Sequence, residues 1–180
     1  METANLSILF PVLTSYWNLT HYHLAALSSF MFIGFGLGSL FLGRLSDRVG
    51  RRKIFLFTLL WSSLMGLASA LAPDIYTFIA MRLLLGIGYG GNLVLEFVLL
   101  AELVPSKSRG RFLSVTDLFY AVGSICSVLL AWLIIPSLGY RYLLAISAIP
   151  PFIVFLFGQS LLESPHYLAH QNREAEAKQV

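Results

Sequence analysis

The sequence is short of charge and of cysteine. Asp, Glu, Lys and Arg make up 12% of its 180 residues, about half of the ~25% that is typical of soluble domains. A single cysteine, Cys126, excludes an intrachain disulfide. Hydrophobic residues account for 57% of the chain and aromatic residues for 14%, which is more than one soluble core of this size would bury. These shortages and excesses indicate a protein that crosses a membrane several times.

The sequence also lacks the residue patterns of common catalytic sites. It contains no zinc-ligand, nucleophile or phosphate-loop constellation, so we expect no enzyme activity, no cofactor and no metal. The glycine-rich run at residues 88–91 lies inside an apolar segment with no strand before it, which argues against a nucleotide loop. The net charge of +3 does not indicate nucleic-acid binding, because the basic residues lie in loops beside apolar segments.

Five apolar segments are long enough to cross a bilayer. They cover residues 24–43, 54–72, 78–101, 112–135 and 142–162 and hold 19 to 24 residues each, against about 20 needed for a ~30 Å hydrocarbon layer. Each is predicted to be helical, because lipid offers the backbone no hydrogen-bond partner. Proline and polar residues predict helix ends at residues 73–74, 105 and 136.

A first apolar stretch, residues 4–17, is too short to span. As a helix it would rise only ~21 Å, so we interpret residues 1–17 as part of a transmembrane helix. Residues 24–162 then hold helices 2–6. Residues 163–180 begin with Ser164-Pro165, a favourable helix start, and predict a short linker helix.

The distribution of basic residues predicts the orientation. Loops 44–53 and 102–111 and the tail 163–180 hold ten Lys and Arg residues, whereas the opposite loops hold one, Arg141. Positive charge accumulates on the cytoplasmic side of membrane proteins. We therefore expect the carboxyl tail in the cytoplasm, with the protein in the plasma membrane or a vesicle membrane.

The most informative motif is Gly-Arg-Leu-Ser-Asp-Arg-Val-Gly-Arg-Arg-Lys at residues 43–53. An ordinary positive-inside loop would explain its arginines. It would not explain Gly43, Asp47 and Gly50 at these spacings. The motif resembles the signature loop between helices 2 and 3 of major facilitator superfamily transporters.

Four further motifs match that superfamily in the same order along the chain. Residues 82–91 (Arg-x-x-x-Gly-x-Gly-x-Gly-Gly) resemble its helix-4 signature, and residues 102–110 (Glu-x-x-Pro-x-x-x-Arg-Gly) its next loop. Residues 139–142 resemble the corner before helix 6. Residues 163–168 resemble the motif after helix 6, with His166 in place of its arginine. The resemblance implies an all-α membrane fold, the amino-terminal six-helix bundle, with helix 1 truncated.

In transporters of this superfamily, charges in these loops latch the cytoplasmic side in the outward-open state. The resemblance implies a conformational latch here too. The alternative is a set of solvated surface pairs, worth ~0–1 kcal/mol each. The latch candidates are Gly43, Asp47, Arg48, Gly50, Arg51, Arg52, Glu102, Arg109 and Glu163.

Charged residues inside the spans indicate a second functional region, because such charges are costly and usually functional. Glu96 and Asp117 each lie six residues from the basic end of their segment, about 9 Å into the membrane. If their faces meet, the two carboxylates share a low-dielectric proton or cation site. Alternatively, each is neutralised by its own hydrogen-bond partner. The candidates for substrate binding or proton coupling are Asp117, Glu96, Glu2, Arg82, Asn92, Tyr89 and Tyr120.

Asp117 also indicates which branch of the superfamily the chain resembles. Sugar porters typically carry glutamine at this position, eight residues after the loop arginine Arg109. The acid, together with Glu2-Thr3, resembles the branch of transporters related to synaptic-vesicle proteins, which adjoins the organic-ion and niacin transporters. That branch implies an organic cation, a zwitterion or proton coupling more than a neutral sugar.

The resemblance therefore implies secondary transport of a small organic solute, with this chain as an incomplete half. The expected partners are the lipid bilayer, a small-molecule substrate and a missing carboxyl-terminal six-helix half. One alternative is a short, non-transporting membrane protein that binds or regulates a full-length transporter. A less favoured alternative is self-association of this chain into a two-half transporter.

Overall fold

The computed structural model describes residues 2–105 and 108–159, and nearly all of them are helical. The described part of the chain contains no β-strand, so the predicted all-α fold is confirmed. The helices in chain order are α1 (Glu2–Trp17), α2 (His21–Val49), α3 (Arg51–Ala70), α4 (Ile75–Leu103), α5 (Arg109–Leu138), α6 (Tyr140–Ser147) and α7 (Ile149–Gly158).

Helices α2 to α5, and α6 together with α7, are long and apolar enough to cross a membrane. These five segments correspond to the five predicted spans. Helix α1 has 16 residues and rises about 24 Å, so the prediction of a short first helix is confirmed.

The prediction of a loop at residues 44–53 is wrong. Helix α2 continues to Val49 and α3 begins at Arg51, so Gly50 alone separates them. Gly50 has φ 120° and ψ 134°, in a region that glycine enters without steric cost. The basic motif is therefore two helix ends on either side of a one-residue joint. We call the end of the bundle where this joint lies, beside the end of α4 and the start of α5, the basic end.

The predictions at residues 136 and 142–162 also need correction. Pro136 lies in the last turn of α5, and the helix ends two residues later at Leu138, where Gly139 follows with φ 88°. A proline in the last turn removes one helical hydrogen bond, from residue 136 to the carbonyl of residue 132, and α5 nevertheless continues past it. The sixth span is divided at Ala148 into α6 and α7, because Pro150 and Pro151 have no N–H to continue the helical hydrogen bonds.

Helices α2 and α4 approach so closely that glycine is required at the contact. A Cβ added at Gly34 or Gly38 would collide with a backbone carbonyl of α4, and one added at Gly90 would collide with that of Phe35 in α2. Small residues permit such close approach between membrane helices. This contact fixes the position of α4 within the bundle.

The main hydrophobic core lies toward the end of the bundle opposite the basic end. It is built from buried residues of α1, α2, α4, α5 and α6, among them Leu13, Leu27, Phe78, Ala131 and Leu143. Trp17 stacks against Phe78 with ring centroids 5.7 Å apart. This cluster attaches the short α1 to the bundle. It also attaches the half of α5 that is farther from the basic end, which we call its outer half.

Candidate functional site

Tyr89, Asn92 and Glu96 follow one another on α4, as the predicted polar stripe requires. Hydrogen bonds from α3 hold this stripe in place. Thr58 Oγ1 donates to Asn92 Oδ1 at 3.4 Å, and Trp61 Nε1 donates to the carbonyl of Leu84 at 2.8 Å. These two hydrogen bonds therefore fix the position of α4 relative to α3.

Glu96 and Asp117 line the same cleft, which we call the large cleft. It has a volume of about 650 Å³ and separates α4 from α5. Tyr120 lines it as well, one turn beyond Asp117. The structure thus places two of the predicted acids and a predicted tyrosine around one space. The complete lining is Leu93, Glu96, Phe97, Thr116, Asp117, Phe119, Tyr120, Gly123 and Val154.

Glu96 also lines a second cavity, which we call the small cleft. This cavity has a volume of about 320 Å³ and lies between α3, α4 and the broken sixth span. Tyr89 and Asn92 line the small cleft and are absent from the lining of the large cleft. Its lining residues are Phe55, Leu59, Ser62, Tyr89, Asn92, Glu96, Ser147, Pro150, Pro151 and Val154. The half-buried carboxylate of Glu96 therefore lies where the two clefts meet.

Arg82 does not join the two acids. Its side chain is fully buried, at 0% exposure, and its Cζ atom lies 4.9 Å from the centroid of the Phe78 ring. It lines neither of the two clefts and lies two turns from Tyr89 toward the opposite end. Glu2 begins α1. The geometry therefore separates Arg82 from the cleft that Glu96 and Asp117 share.

At the basic end, the structure brings together three of the latch candidates. Arg51 Nη2 lies 3.2 Å from Asp47 Oδ1, and Arg51 Nη1 forms an ion pair with Glu102 Oε1. Arg51 therefore connects the end of α2, across the Gly50 joint, to the end of α4. The side chains of Arg51 and Glu102 are 18% and 19% exposed, so this pair is shielded more than an ordinary surface pair.

The other latch candidates are placed differently. Arg48 and Arg109 are exposed at the basic end. A Cβ added at Gly43 would make an ordinary contact of 3.6 Å with Val94, so packing does not require glycine there. Glu163, and the predicted linker helix at residues 163–180, lie outside the described residues.

The sequence reasoning named Arg52 as a latch candidate but did not predict its contact with Gln159, and it missed the residues of α3 that line the small cleft. Arg52 Nη2 donates a hydrogen bond to the carbonyl of Gln159 at the end of α7. Ser62 and Phe55 line the small cleft. A signal was present in the sequence, because Arg52, Phe55, Leu59 and Ser62 recur at the spacing of one helix face.

Within the residues that the structure describes, no group of three or more His, Cys, Asp or Glu is arranged to hold a metal ion. The fold is that of a multi-pass helical membrane protein. Its spans pack through small residues, and carboxylates line clefts between them. Acids within membrane spans are often part of a pathway for a substrate, an ion or a proton.

The chain belongs to the family described as "Sugar (and other) transporter", whose model matches residues 5–180. It is 40% identical over 177 residues to organic cation/carnitine transporter 7 of Arabidopsis thaliana, covering 98% of this chain and 35% of that protein. It is 37% identical over 167 residues to the synaptic vesicle 2-related protein of Xenopus laevis, covering 93% of this chain and 30% of that protein. The chain thus spans about a third of the length of these relatives.

The fold is also that of a solved transporter. The partially occluded, inward-open structure of the xylose transporter XylE from E. coli matches with a TM-score of 0.88 at 23% identity, over 98% of this chain and 50% of that one. These similarities confirm the predicted amino-terminal half of a major facilitator transporter and the predicted branch. They also place the chain among transporters rather than enzymes.

Proposed function

We propose that this chain forms half of a secondary transporter for a small organic solute, with the large cleft as its share of the solute pathway. The observation that carries the proposal is that Glu96 and Asp117, from two different spans, line the same 650 Å³ space. Ligand pockets typically enclose ~300–1,000 Å³. A carboxyl-terminal six-helix half would supply the opposite wall, and the lipid bilayer would surround the whole.

The charge of the large cleft favours a cationic or zwitterionic solute. Two carboxylates line it, and no Lys, Arg or His is among its lining residues. A neutral solute could only donate hydrogen bonds to the two acids, whereas a cation would also neutralise their charge, which is costly at this depth. The relative at 40% identity is named for organic cations and carnitine, which supports this substrate class.

The two acids also suit proton coupling. A carboxylate that is neutralised by a proton can no longer pair with a cationic solute. A cation that binds the ionised pair would therefore displace a proton. We propose that solute and proton compete for Glu96 and Asp117, and that this competition couples their movements.

The Asp47, Arg51 and Glu102 contacts support a latch at the basic end. Arg51 joins α2, α3 and α4 there, so separating these helix ends requires its ion pairs to break. We propose that the contacts hold the basic end closed in one transport state and break in the other. In the full-length transporter, Asp47→Asn is expected to shift the balance between inward- and outward-facing states. Unchanged accessibility of the cytoplasmic face would contradict this.

We propose that the basic end faces the cytoplasm, in the plasma membrane or a vesicle membrane. The ten-to-one distribution of basic residues supports this orientation. Single cysteines placed within residues 44–53 should react with an impermeant thiol reagent only after cells are opened. Reaction in intact cells would reverse the orientation.

Uptake measurements on the full-length transporter that contains this half test the substrate proposal. We expect saturable, pH-dependent uptake of tetraethylammonium or carnitine. Asp117→Asn should reduce uptake at least tenfold and flatten its pH profile, and Glu96→Gln should alter the same profile. Asp74→Asn is the matched control, because Asp74 is exposed outside the spans and makes the same acid-to-amide change. Wild-type uptake and pH profiles in both cleft variants would refute the proposal.

A further inference from the structure

We propose that the small cleft is a water-filled route by which Glu96 exchanges protons with the solution at the basic end, separately from the solute in the large cleft. This inference rests on the proposed role of Glu96 in proton coupling. It assigns a function to a cavity that the substrate proposal leaves unused.

The position of the small cleft fits a route from the basic end. Arg52, Phe55, Leu59 and Ser62 lie along one face of α3, and the last three line the cleft. Arg52, at the start of this face, donates its hydrogen bond to Gln159 at the end of α7. The lining of the cleft extends ~10 Å along α3 from Phe55 to Ser62, and the Arg52–Gln159 contact lies about one turn beyond it on the side of the basic end. We take this side as the mouth of the cleft.

The depth of Glu96 agrees with this direction. Glu96 lies six residues before Glu102 on α4, about 9 Å from the ion pair that Glu102 forms with Arg51. Asn92, one turn deeper, is already at the level of Thr58. Among the polar residues of α4 that line the small cleft, Glu96 is therefore the nearest to the basic end.

The small cleft has the size and polarity to hold water. A volume of about 320 Å³ accommodates about ten water molecules at ~30 Å³ each. Hydroxyl, amide and carboxylate groups from three elements line it, which meets the requirement that buried water has polar partners. These groups belong to Ser62, Tyr89, Asn92, Glu96 and Ser147.

Glu96 is the acid that can take a proton from this water. Among the residues that line the two clefts, the other titratable groups are Tyr89 on α4 and Asp117 and Tyr120 on α5, and none comes from α3, α6 or α7. A hydronium ion in the small cleft gives its proton to a Glu96 carboxylate oxygen, which leaves water and a neutral carboxylic acid. The reverse step returns the proton to water.

A separate route matters because a solute in the large cleft would block proton access from that side. Asp117 lines the large cleft alone, whereas Glu96 lines both. Glu96 can therefore take up the proton that competes with the solute, or release it, even while the solute blocks access through the large cleft.

Thiol accessibility in the purified 180-residue chain tests whether the small cleft holds water. The single native cysteine is first removed by Cys126→Ser. Ser62→Cys and Ser63→Cys are then compared, because both serines are buried, at 3% and 1% exposure, but only Ser62 lines the small cleft. A small, positively charged methanethiosulfonate should modify Ser62→Cys at least tenfold faster than Ser63→Cys. Equal rates, or reaction of Ser62→Cys with an uncharged maleimide alone, would overturn the proposal.

Infrared spectroscopy of hydrogen–deuterium exchange tests the proton step itself. The carboxyl band of Glu96 is identified by its loss in Glu96→Gln. Modification of Ser62→Cys, or of Leu59→Cys if the first variant does not fold, should slow deuteration of this band at least tenfold. Unchanged exchange after modification would overturn the route. Because these measurements need no solute, they can fail while Asp117-dependent uptake succeeds, and the reverse is also possible.

Discussion

Helix α4 meets α2 and α5 in opposite ways. Its contact with α2 brings backbone against backbone, so that an added methyl group at Gly38, Gly86 or Gly90 would strike a carbonyl oxygen. Its boundary with α5 near the basic end is a cleft of about 650 Å³. Along this half of α5, bulky residues such as Leu118 and Phe119 are 63% and 71% exposed.

The difference follows from the residues on each face. Glycines allow two helices to touch along several turns, whereas the small residues of α5 that are buried, Ser127 and Ala131, lie in its outer half. The outer half of α5 therefore packs in the core, whereas its inner half, next to the basic end, is separated from α4 by the large cleft. The close contact with α2 fixes the position of α4, and with it that of Glu96. The gap beside α5 leaves the large cleft, which Glu96 lines.

The largest effect is expected from breaking the tight contact. Gly90→Ala should destabilise the chain by at least the upper end of the ~1–3 kcal/mol typical of overpacking. The added Cβ would meet the backbone carbonyl of Phe35, which cannot move without separating the helices. Thermal unfolding in detergent, followed by tryptophan fluorescence, measures the loss.

Gly36→Ala is the matched control for this prediction. It makes the same change on α2, where an added Cβ has nothing within 4 Å, and removing a helix glycine there should be neutral or slightly stabilising. Equal melting temperatures for Gly36→Ala and Gly90→Ala would mean that the close approach of α2 and α4 is not a constraint.

A smaller effect should distinguish the two halves of α5. Ala131 is 1% exposed and packs in the core cluster, so Ala131→Leu should cost about 1–3 kcal/mol. Ala121→Leu makes the same change at an exposed position of the same helix and should alter stability by less than ~0.5 kcal/mol. If Ala121→Leu proved the more damaging change in thermal unfolding, the inner half of α5 would be packed more tightly than its contacts indicate.

The smallest effect concerns the start of α4, outside the spans. The Asp74 carboxylate accepts hydrogen bonds from the Thr77 hydroxyl at 2.6 Å and from the backbone N–H groups of Thr77 and Tyr76. These bonds, the Thr77 hydroxyl above all, hold the pKa of Asp74 below its usual value. Because the folded pKa is lowered, the cap's contribution is full above the ordinary Asp range and is lost as pH falls through the folded pKa.

Asp74→Ala should therefore lower the melting temperature slightly at neutral pH. The difference from the unaltered chain should shrink as the pH falls through the folded pKa of Asp74. Asp74→Ser, which keeps a capping oxygen without a charge, should lower the melting temperature less. A difference that stays constant down to strongly acidic pH would exclude the carboxylate as its source.

The sequence predicted the spans better than the joints between them. Hydropathy located five spans because lipid requires long apolar helices whatever their neighbours are. It could not show that α2 and α3 continue through their charged ends to leave Gly50 alone, because the ten residues 44–53, seven of which are charged or polar, suit a loop equally well. Pro136 misled for a different reason, since it costs α5 one backbone hydrogen bond and the helix still continues for two residues beyond it.

The candidate site was predicted in part. Counting residues from the basic end placed Glu96 and Asp117 at equal depth, and both line the large cleft. The small cleft was not predicted, because it depends on how α3 rotates against α4 and on the break at Ala148. The seven-residue spacing of Arg82, Tyr89 and Glu96 suggested that all three belong to one site. In the structure Arg82 is fully buried beside Phe78 and lines neither cleft.

The single residue between α2 and α3 makes their helical phases dependent on one another. Each residue advances a helix by about 100°, so one insertion beside Gly50 would turn every face of α3 by that angle. Arg51 would leave Glu102, and Ser62 would rotate out of the small cleft together. The number of residues between α2 and α3 therefore determines both the contacts of the charges at the basic end and the lining of the cavity deeper in the bundle. Substitution of Arg51 or of Ser62 changes only one of these two features, whereas a change in length alters both at once.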